Sequence, residues 1–383
     1  MKILFINSVC GIRSTGRICT DLAEKYIKQG HDVRIAYGRE SVPEKYKDIA
    51  VRIGKKADVY FSGFCSRVFD NEGFNSVRAT KEFLAWAEKY DPDMLWLHNL
   101  HGYYINIKML FDWIKSRPDM QVKWTLHDCW AFTGHCPHFS FVKCEQWKKG
   151  CTRCCQKHGY PKSIFFDNSK TNYEKKKKTF CCVKKMTIIV PSYWLADLVK
   201  QSFLRDYPVE VIHNTIDTSV YKPTPSNFRK RYGLEDKIIV LGVASAWSKA
   251  KGLDDFIELS KMLDCKYKIV LVGIPPKMKK RLPQNIITIS RTNNTVELAE
   301  IYTAADIFVN PSKEETFGLT TLEAVSCGTE AIVYKNTACE EVIDLCGNGV
   351  AIDVSQQALL DEIKARTEVK KDFKKELNGV SKK

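Results

Sequence analysis

Short β-branched and aromatic runs recur along this chain, each followed by a longer amphipathic stretch: "KILFIN", "DVRIAY", "MLWLHN", "VKWTLHD", "MTIIVPS" and "VEVIHN" in the first half. A strand buried on both faces reads as an unbroken apolar run and reaches its parallel neighbour through a helical crossover, so the alternation predicts parallel sheets covered by helices. After "DTSVYKPTPSNF", rich in Pro and Ser, a second series begins: "KIIVLGVAS", "YKIVLVG", "IITIS", "DIFVNPS" and "EAIVY". The expectation is an α/β chain of two doubly wound, Rossmann-like domains, 1–216 and 217–383, joined near Asp217 to Pro223 and facing across a cleft. Ligands of such sheets bind beyond the carboxyl ends of the strands.

The 383 residues suit two domains of roughly 150 residues each. No apolar run approaches the roughly 20 residues that a membrane span needs, and "MKILFINSVCGI" continues into polar sequence without a small-residue cleavage site. Fifteen cysteines in a chain too large to need stapling point to reduced thiols or metal ligands and to the cytoplasm. Sixty Lys and Arg against 45 Asp and Glu leave +15, which favours anionic partners: phosphates, nucleic acid or an acidic membrane face.

The stretch "EETFGLTTLEA" sets Glu315 and Glu323 on either side of a glycine turn. With "DIFVNPS" as a strand and "TTLEAVSCG" as a helix, Glu315 falls in the exit loop and Glu323 in the helix's first turns. Gly318 lets backbone approach a ligand, and the N–H groups from Phe317 to Thr320 form an anion site reinforced by the helix dipole. A diphosphate fits between the two acids. The alternative for an isolated pair of glutamates is a capped surface helix with solvated acids.

"PSKEETFGLTTLEAVSCGTEAIVY" resembles the E-x7-E signature of glycosyltransferase family 4, retaining enzymes of the GT-B fold, and most closely their capsule, O-antigen and colanic-acid branch. The similarity extends over "MKILFINSV", "GIRSTGRI", "WTLHDCWAFTGHC", "VPSYWLADLVKQS", "VIHNTID" and "GVASAWSKAKGLDDFI". The resemblance implies a nucleotide-sugar donor, with Glu323 on the ribose, Glu315 on the sugar, and the backbone of Phe317, Gly318 and Leu319, with Thr320, beside sugar and phosphates. Lys251 would neutralise the diphosphate. Where relatives often carry an arginine six residues earlier, this chain has Ser245, so that either Lys249 would compensate from the same loop or the phosphates would rely more on backbone N–H groups and Lys251. Arg291, in the "SRTNNT" loop, is counted among the donor-binding residues, while base choice is expected to rest largely on backbone contacts of such loops. Catalysis would fall to His127, Lys251 and Glu315, with no cofactor required; the family is usually independent of divalent metal, and no Asp-x-Asp motif is evident.

The first domain is expected to hold a lipid-linked or oligosaccharide acceptor. Gly11, Arg13, Ser14, Thr15 and Gly16 are read as a loop between the first strand and the "TDLAEKYIKQG" helix, contacting acceptor or phosphate or simply making a tight turn. His127 matches the family's active-site histidine, while His98 and His101 border the same region. Cys136, Cys144, Cys151 and Cys154, spaced C-x7-C-x6-C-x2-C within an insertion near 129–160, suggest a structural zinc or unligated buried thiols. Lys175 to Lys178 and "KKDFKKELNGVSKK" offer basic surfaces for an anionic membrane face, or solvated charge. A nucleic-acid-binding protein and a sugar-nucleotide binder without turnover are the rival classes. Aromatics on a sheet face or a reading helix in the basic region, which nucleic acid would call for, are not evident.

Overall fold

The computed structural model describes residues 1–380, with side chains described through Val369. The basic segment 370–383 singled out above thus has its side chains outside the described residues. The chain divides into two compact units, Met1–His213 and Asn214–Lys383.

The first unit is a seven-stranded, all-parallel sheet built from β1 (Lys2–Asn7), β2 (Asp32–Tyr37), β3 (Ala50–Arg52), β4 (Met94–Leu97), β5 (Gln121–Thr125), β6 (Met186–Val190) and β7 (Val209–Val211). Its order is β3-β2-β1-β4-β5-β6-β7. Each face of β1 feeds a separate core: Leu4 and Ile6 pack with Leu95, Leu97 and Trp124, while Ile3 and Phe5 pack with Val33, Ile35 and Trp96. Strands apolar on both faces are what the unbroken runs predicted.

The second unit is a six-stranded parallel sheet from β8 (Ile238–Val243), β9 (Tyr267–Val272), β10 (Ile286–Ile289), β11 (Ile307–Asn310), β12 (Ala331–Tyr334) and β13 (Gly349–Ile352), in the order β10-β9-β8-β11-β12-β13. In both sheets the winding direction reverses beside the first strand, between β1 and β4 and between β8 and β11. The crevice at such a reversal, outside the carboxyl ends of the strands, is where doubly wound sheets take ligands.

Two sequence readings change. The first helix begins at Arg13, so Arg13, Ser14, Thr15 and Gly16 form its opening turn and only Gly11 stays in the loop. Gly16 is held there by space, because a Cβ would lie 3.1 Å from Val9 Cγ2 and 3.3 Å from the Gly11 nitrogen. The lysine run lies in the helix Ser169–Phe180, and its period turns Lys176 inward: the side chain is 1% exposed, donates from Nζ to Trp130 O at 2.8 Å and lies 3.5 Å over the Trp130 ring. Only Lys175, Lys177 and Lys178 belong to a solvated face.

Candidate active site

At the β8/β11 reversal, two loops are pressed together by a missing side chain. Gly252 has φ +72°, and a Cβ there would lie 2.5 Å from Pro311 O. The close approach, with Lys313 N–H donating to Ala250 O at 2.8 Å, brings the "KAKG" loop against the exit of β11. Lys251 Nζ thereby meets Glu315 Oε1 at 2.5 Å, with the two side chains 32% and 18% exposed. Ser312 Oγ stands 3.4 Å from the same carboxylate oxygen. Lys249 is largely exposed, 4.0 Å from Asp254 Oδ2, and Ser245 and Arg291 are exposed.

Immediately beyond Glu315, Phe317 is buried and Gly318 opens the helix Leu319–Ser326 at φ +94°. A Cβ on Gly318 would lie 2.5 Å from Cys339 Sγ, so glycine is required by space as well as by φ. Asn310, at the end of β11, donates from Nδ2 to Thr321 Oγ1 at 3.0 Å, which seats the helix on the strand. No side chain caps the helix, leaving the Leu319 and Thr320 end to present backbone N–H groups and the positive end of the dipole. Glu323 lies one turn in, and its Oε2 accepts the buried Tyr302 hydroxyl at 2.9 Å. The second unit therefore gathers Lys251 from one loop with Glu315, the Gly318 turn and Glu323 from the next loop and its helix, with Lys249 at the rim.

At the β1/β4 reversal and the neighbouring end of β5 sits a histidine cluster. His98 Nδ1 lies 3.0 Å from His127 Nε2, with the rings stacked at 5.3 Å. Burial drives His127 down to about 4 against the opposing pull of Asp128, and drives His98 well below the ordinary imidazole range, with His127 adding to the effect. Both rings are therefore neutral at pH 7, and one supplies the shared proton. His101 Nε2 pairs with Asp128 Oδ2 at 2.8 Å, and its Nδ1 is 2.9 Å from the Tyr160 hydroxyl. Burial acts to raise Asp128, but His101, with His138 and the Trp130 N–H, outweighs it and the carboxyl is held down at about 2.

Glu72 anchors the backbone that follows His101, and sequence reasoning missed it. It is 3% exposed and accepts from Gly102 N–H at 2.7 Å and Tyr103 N–H at 2.9 Å, while burial raises its carboxyl against both donors. Nothing in "DNEGFN" signals this, because its partners lie some thirty residues away. Tyr160 was missed for the same reason. The Arg13 guanidinium, exposed at the start of its helix, pairs with Glu40.

In the insertion, the Cys136 and Cys154 thiols are hydrogen-bonded to each other, and Cys151 Sγ accepts from Gly134 N–H at 3.2 Å. Cys144 packs against the same core. Among the described residues no group of three or more His, Cys, Asp or Glu side chains is placed to hold a metal ion.

Two family profiles match the chain: "Glycosyltransferase Family 4" over residues 15–220 and "Glycosyl transferases group 1" over residues 226–375. The colanic acid biosynthesis glycosyl transferase WcaC of Escherichia coli (strain K12) is 23% identical over 361 residues, 91% of this chain and 86% of the relative. The N,N'-diacetylbacillosaminyl-diphospho-undecaprenol alpha-1,3-N-acetylgalactosaminyltransferase of Campylobacter jejuni is 31% identical over 157 residues, 38% of this chain and 41% of the relative. Among solved structures, Anabaena Alr3699/HepE in complex with UDP-glucose superposes with a TM-score of 0.62 at 16% identity, covering 97% of this chain and 91% of that one. The two-unit architecture is thus that of the GT-B fold.

Proposed function

Because the chain belongs to glycosyltransferase family 4, we propose that it moves a sugar, with retention of anomeric configuration, from a nucleoside-diphosphate donor to a lipid-linked saccharide in bacterial polysaccharide synthesis. The observation that carries this reading is the Lys251–Glu315 pair set beside the uncapped Gly318 helix start, with Glu323 one turn further on. A cation and a helix N-terminus suit a diphosphate, and the flanking carboxylates suit sugar and ribose hydroxyls. Donor use is supported by the UDP-glucose complex of the Anabaena relative in fold, and a lipid-linked acceptor by the undecaprenol-linked substrate in the Campylobacter enzyme's name.

Retention places the acceptor hydroxyl and the departing diphosphate on one face of the sugar. In this reading the leaving phosphate takes the acceptor's proton. Lys251 and the backbone N–H groups at the helix start receive the charge that builds on the leaving oxygen. Glu315 has two tasks: it holds Lys251 extended before the donor arrives, and it positions the sugar afterwards. His127, assigned to catalysis in this reading, is neutral at pH 7 and so offers a hydrogen bond rather than a charge. The acceptor-side assignment of Gly11 and of the Arg13 to Gly16 turn belongs to the same proposal, as does attachment to an anionic membrane face. No helix among the described residues is long and apolar enough to cross a membrane.

A panel of UDP- and GDP-sugars, screened by thermal shift and then for release of nucleoside diphosphate, tests the reading. One donor should stabilise the protein by mass action and be turned over. Stabilisation without release, with or without saccharide acceptors, would overturn the transferase assignment in favour of a sugar-nucleotide binder.

A further inference from the structure

A surface helix ordinarily turns its apolar stripe to the core. The helix Lys56–Phe69 does the opposite. Its buried positions are Ser62, Gly63 and Ser66, while Tyr60, Phe61 and Phe64 are 78%, 68% and 61% exposed. Phe69, at its end, stacks on Phe166 with ring centroids 6.1 Å apart, and Phe165 beside it is 67% exposed. Two hydrogen bonds fix this loop to the helix: Ile164 N–H donates to Arg67 O at 2.8 Å and Asn168 Nδ2 to Phe69 O at 2.6 Å. The exposed rings therefore lie on one helix and on the loop bonded to its C-terminal end, and large apolar side chains clustered in water in this way mark a contact surface.

The rim of this surface is basic. Lys55, Lys56 and Lys162 are exposed. The acids on the two segments are engaged locally, Asp58 by Lys55 N–H at 2.7 Å and Asp167 by Cys154 N–H at 2.7 Å and Ser169 Oγ at 2.6 Å. Aromatic side chains edged by lysines are the composition of an element that lies in a membrane interface. A symmetric pairing of two copies through the same face would instead set lysines against lysines.

We propose that the aromatic face formed by the helix Lys56–Phe69 and the 160–166 loop docks on a bilayer containing anionic lipid, its rings entering the headgroup region. The inference deepens the lipid-linked acceptor reading and rests on it for its purpose. The loop that carries Phe165 and Phe166 also carries Tyr160, whose hydroxyl touches His101, so docking would deliver a lipid-borne saccharide to the histidine cluster. It also differs from attachment through the lysine run, where Lys176 is internal: a contact made by buried rings persists when salt screens the lysines.

Sedimentation with vesicles of phosphatidylcholine, alone or with phosphatidylglycerol, tests it on the full chain. Wild type should bind the mixed vesicles and keep a measurable share of that binding in high salt. The variants Phe61→Ser/Phe64→Ser and Phe165→Ser/Phe166→Ser should each lose at least about tenfold in partitioning, as removal of buried apolar groups requires. Phe61→Leu/Phe64→Leu, which stays apolar, should retain binding. Melting temperature and lipid-free donor hydrolysis should be unchanged in all three. Serine variants that bind like wild type overturn the proposal. So does a wild-type dimer that the serine variants split into monomers, since the face would then belong to a second copy. If wild type hydrolyses no donor yet binds vesicles through these rings, the functional reading fails and the docking surface stands.

Discussion

Replacing Lys251 with methionine should separate function from stability. The pair it forms with Glu315 is short, at 2.5 Å, but the side chains keep 32% and 18% of their exposure. Ion pairs in reach of water contribute about 0–1 kcal/mol, so Lys251→Met should cost no more than about 1 kcal/mol. For a unit of this size that lowers the melting temperature by about 2–4 °C. Methionine keeps the length and the packing of the aliphatic stem, and Glu315 remains hydratable. Transfer is another matter, because the cation faces charge that develops as the diphosphate leaves. Removing one such donor costs about 100- to 1,000-fold in rate. Initial rates of nucleoside diphosphate release at saturating donor, beside a melting curve, give both numbers. A variant within threefold of the wild-type rate would show that Lys251 does not meet the leaving charge, and one that melts more than about 10 °C lower would make it a structural residue; either result refutes the reasoning.

Gly318→Ala should destabilise the second unit by at least about 1–2 kcal/mol, the cost of a left-handed conformation for a residue with a Cβ, with the clash on Cys339 added; denaturant titration measures it, and an unchanged midpoint would contradict the backbone geometry. His127 contributes a pH dependence of definite sign. Its folded value of about 4 lies below the unfolded 6.5, so the unfolded chain binds the extra proton and stability falls as pH drops from about 6.5 to 4, by up to about 3 kcal/mol. His127→Gln should flatten that acid limb, and an unaltered limb would assign the loss to other groups. Tyr302→Phe removes the hydroxyl that holds Glu323 and should weaken nucleotide binding several-fold, about the 0.5–1.5 kcal/mol of one hydrogen bond, in calorimetry; undiminished affinity would mean that Glu323 is positioned without it.

Strands that are apolar on both faces were legible because burial leaves an unbroken run, as in "KILFIN" and "KIIVLG". β3 and β13 were not. Ala50–Arg52 has three residues, all half-buried at a sheet edge, and Gly349–Ile352 opens on a glycine. An edge strand buries less and so needs no apolar run. The start of the first helix was hidden by Gly16 in its opening turn and by Arg13 at φ +57°. In "EKKKKTF" identical letters carry no period, and only the neighbours Asn172, Tyr173, Thr179 and Phe180, all buried, reveal which lysine turns inward. The individual residues of the candidate donor site could be named from a signature, yet the contact between Lys251 and Glu315 depends on Gly252 resting against Pro311, sixty residues away. Glu72 and the inverted Lys56–Phe69 helix left no trace of their roles, since composition does not say which face of a helix will meet the core.

The central claim is that the Gly318 helix start and Glu323 bind a nucleoside diphosphate. Calorimetric titration of UDP and of GDP into wild type and into Glu323→Gln tests it most directly, because it needs neither the sugar nor the acceptor. Loss of a charge-assisted ribose contact is worth about 1.5–3 kcal/mol, so the variant should bind the preferred nucleotide roughly 10- to 150-fold more weakly with the same melting temperature. Equal affinity in the two proteins, or no binding of either nucleotide by wild type, would contradict the account.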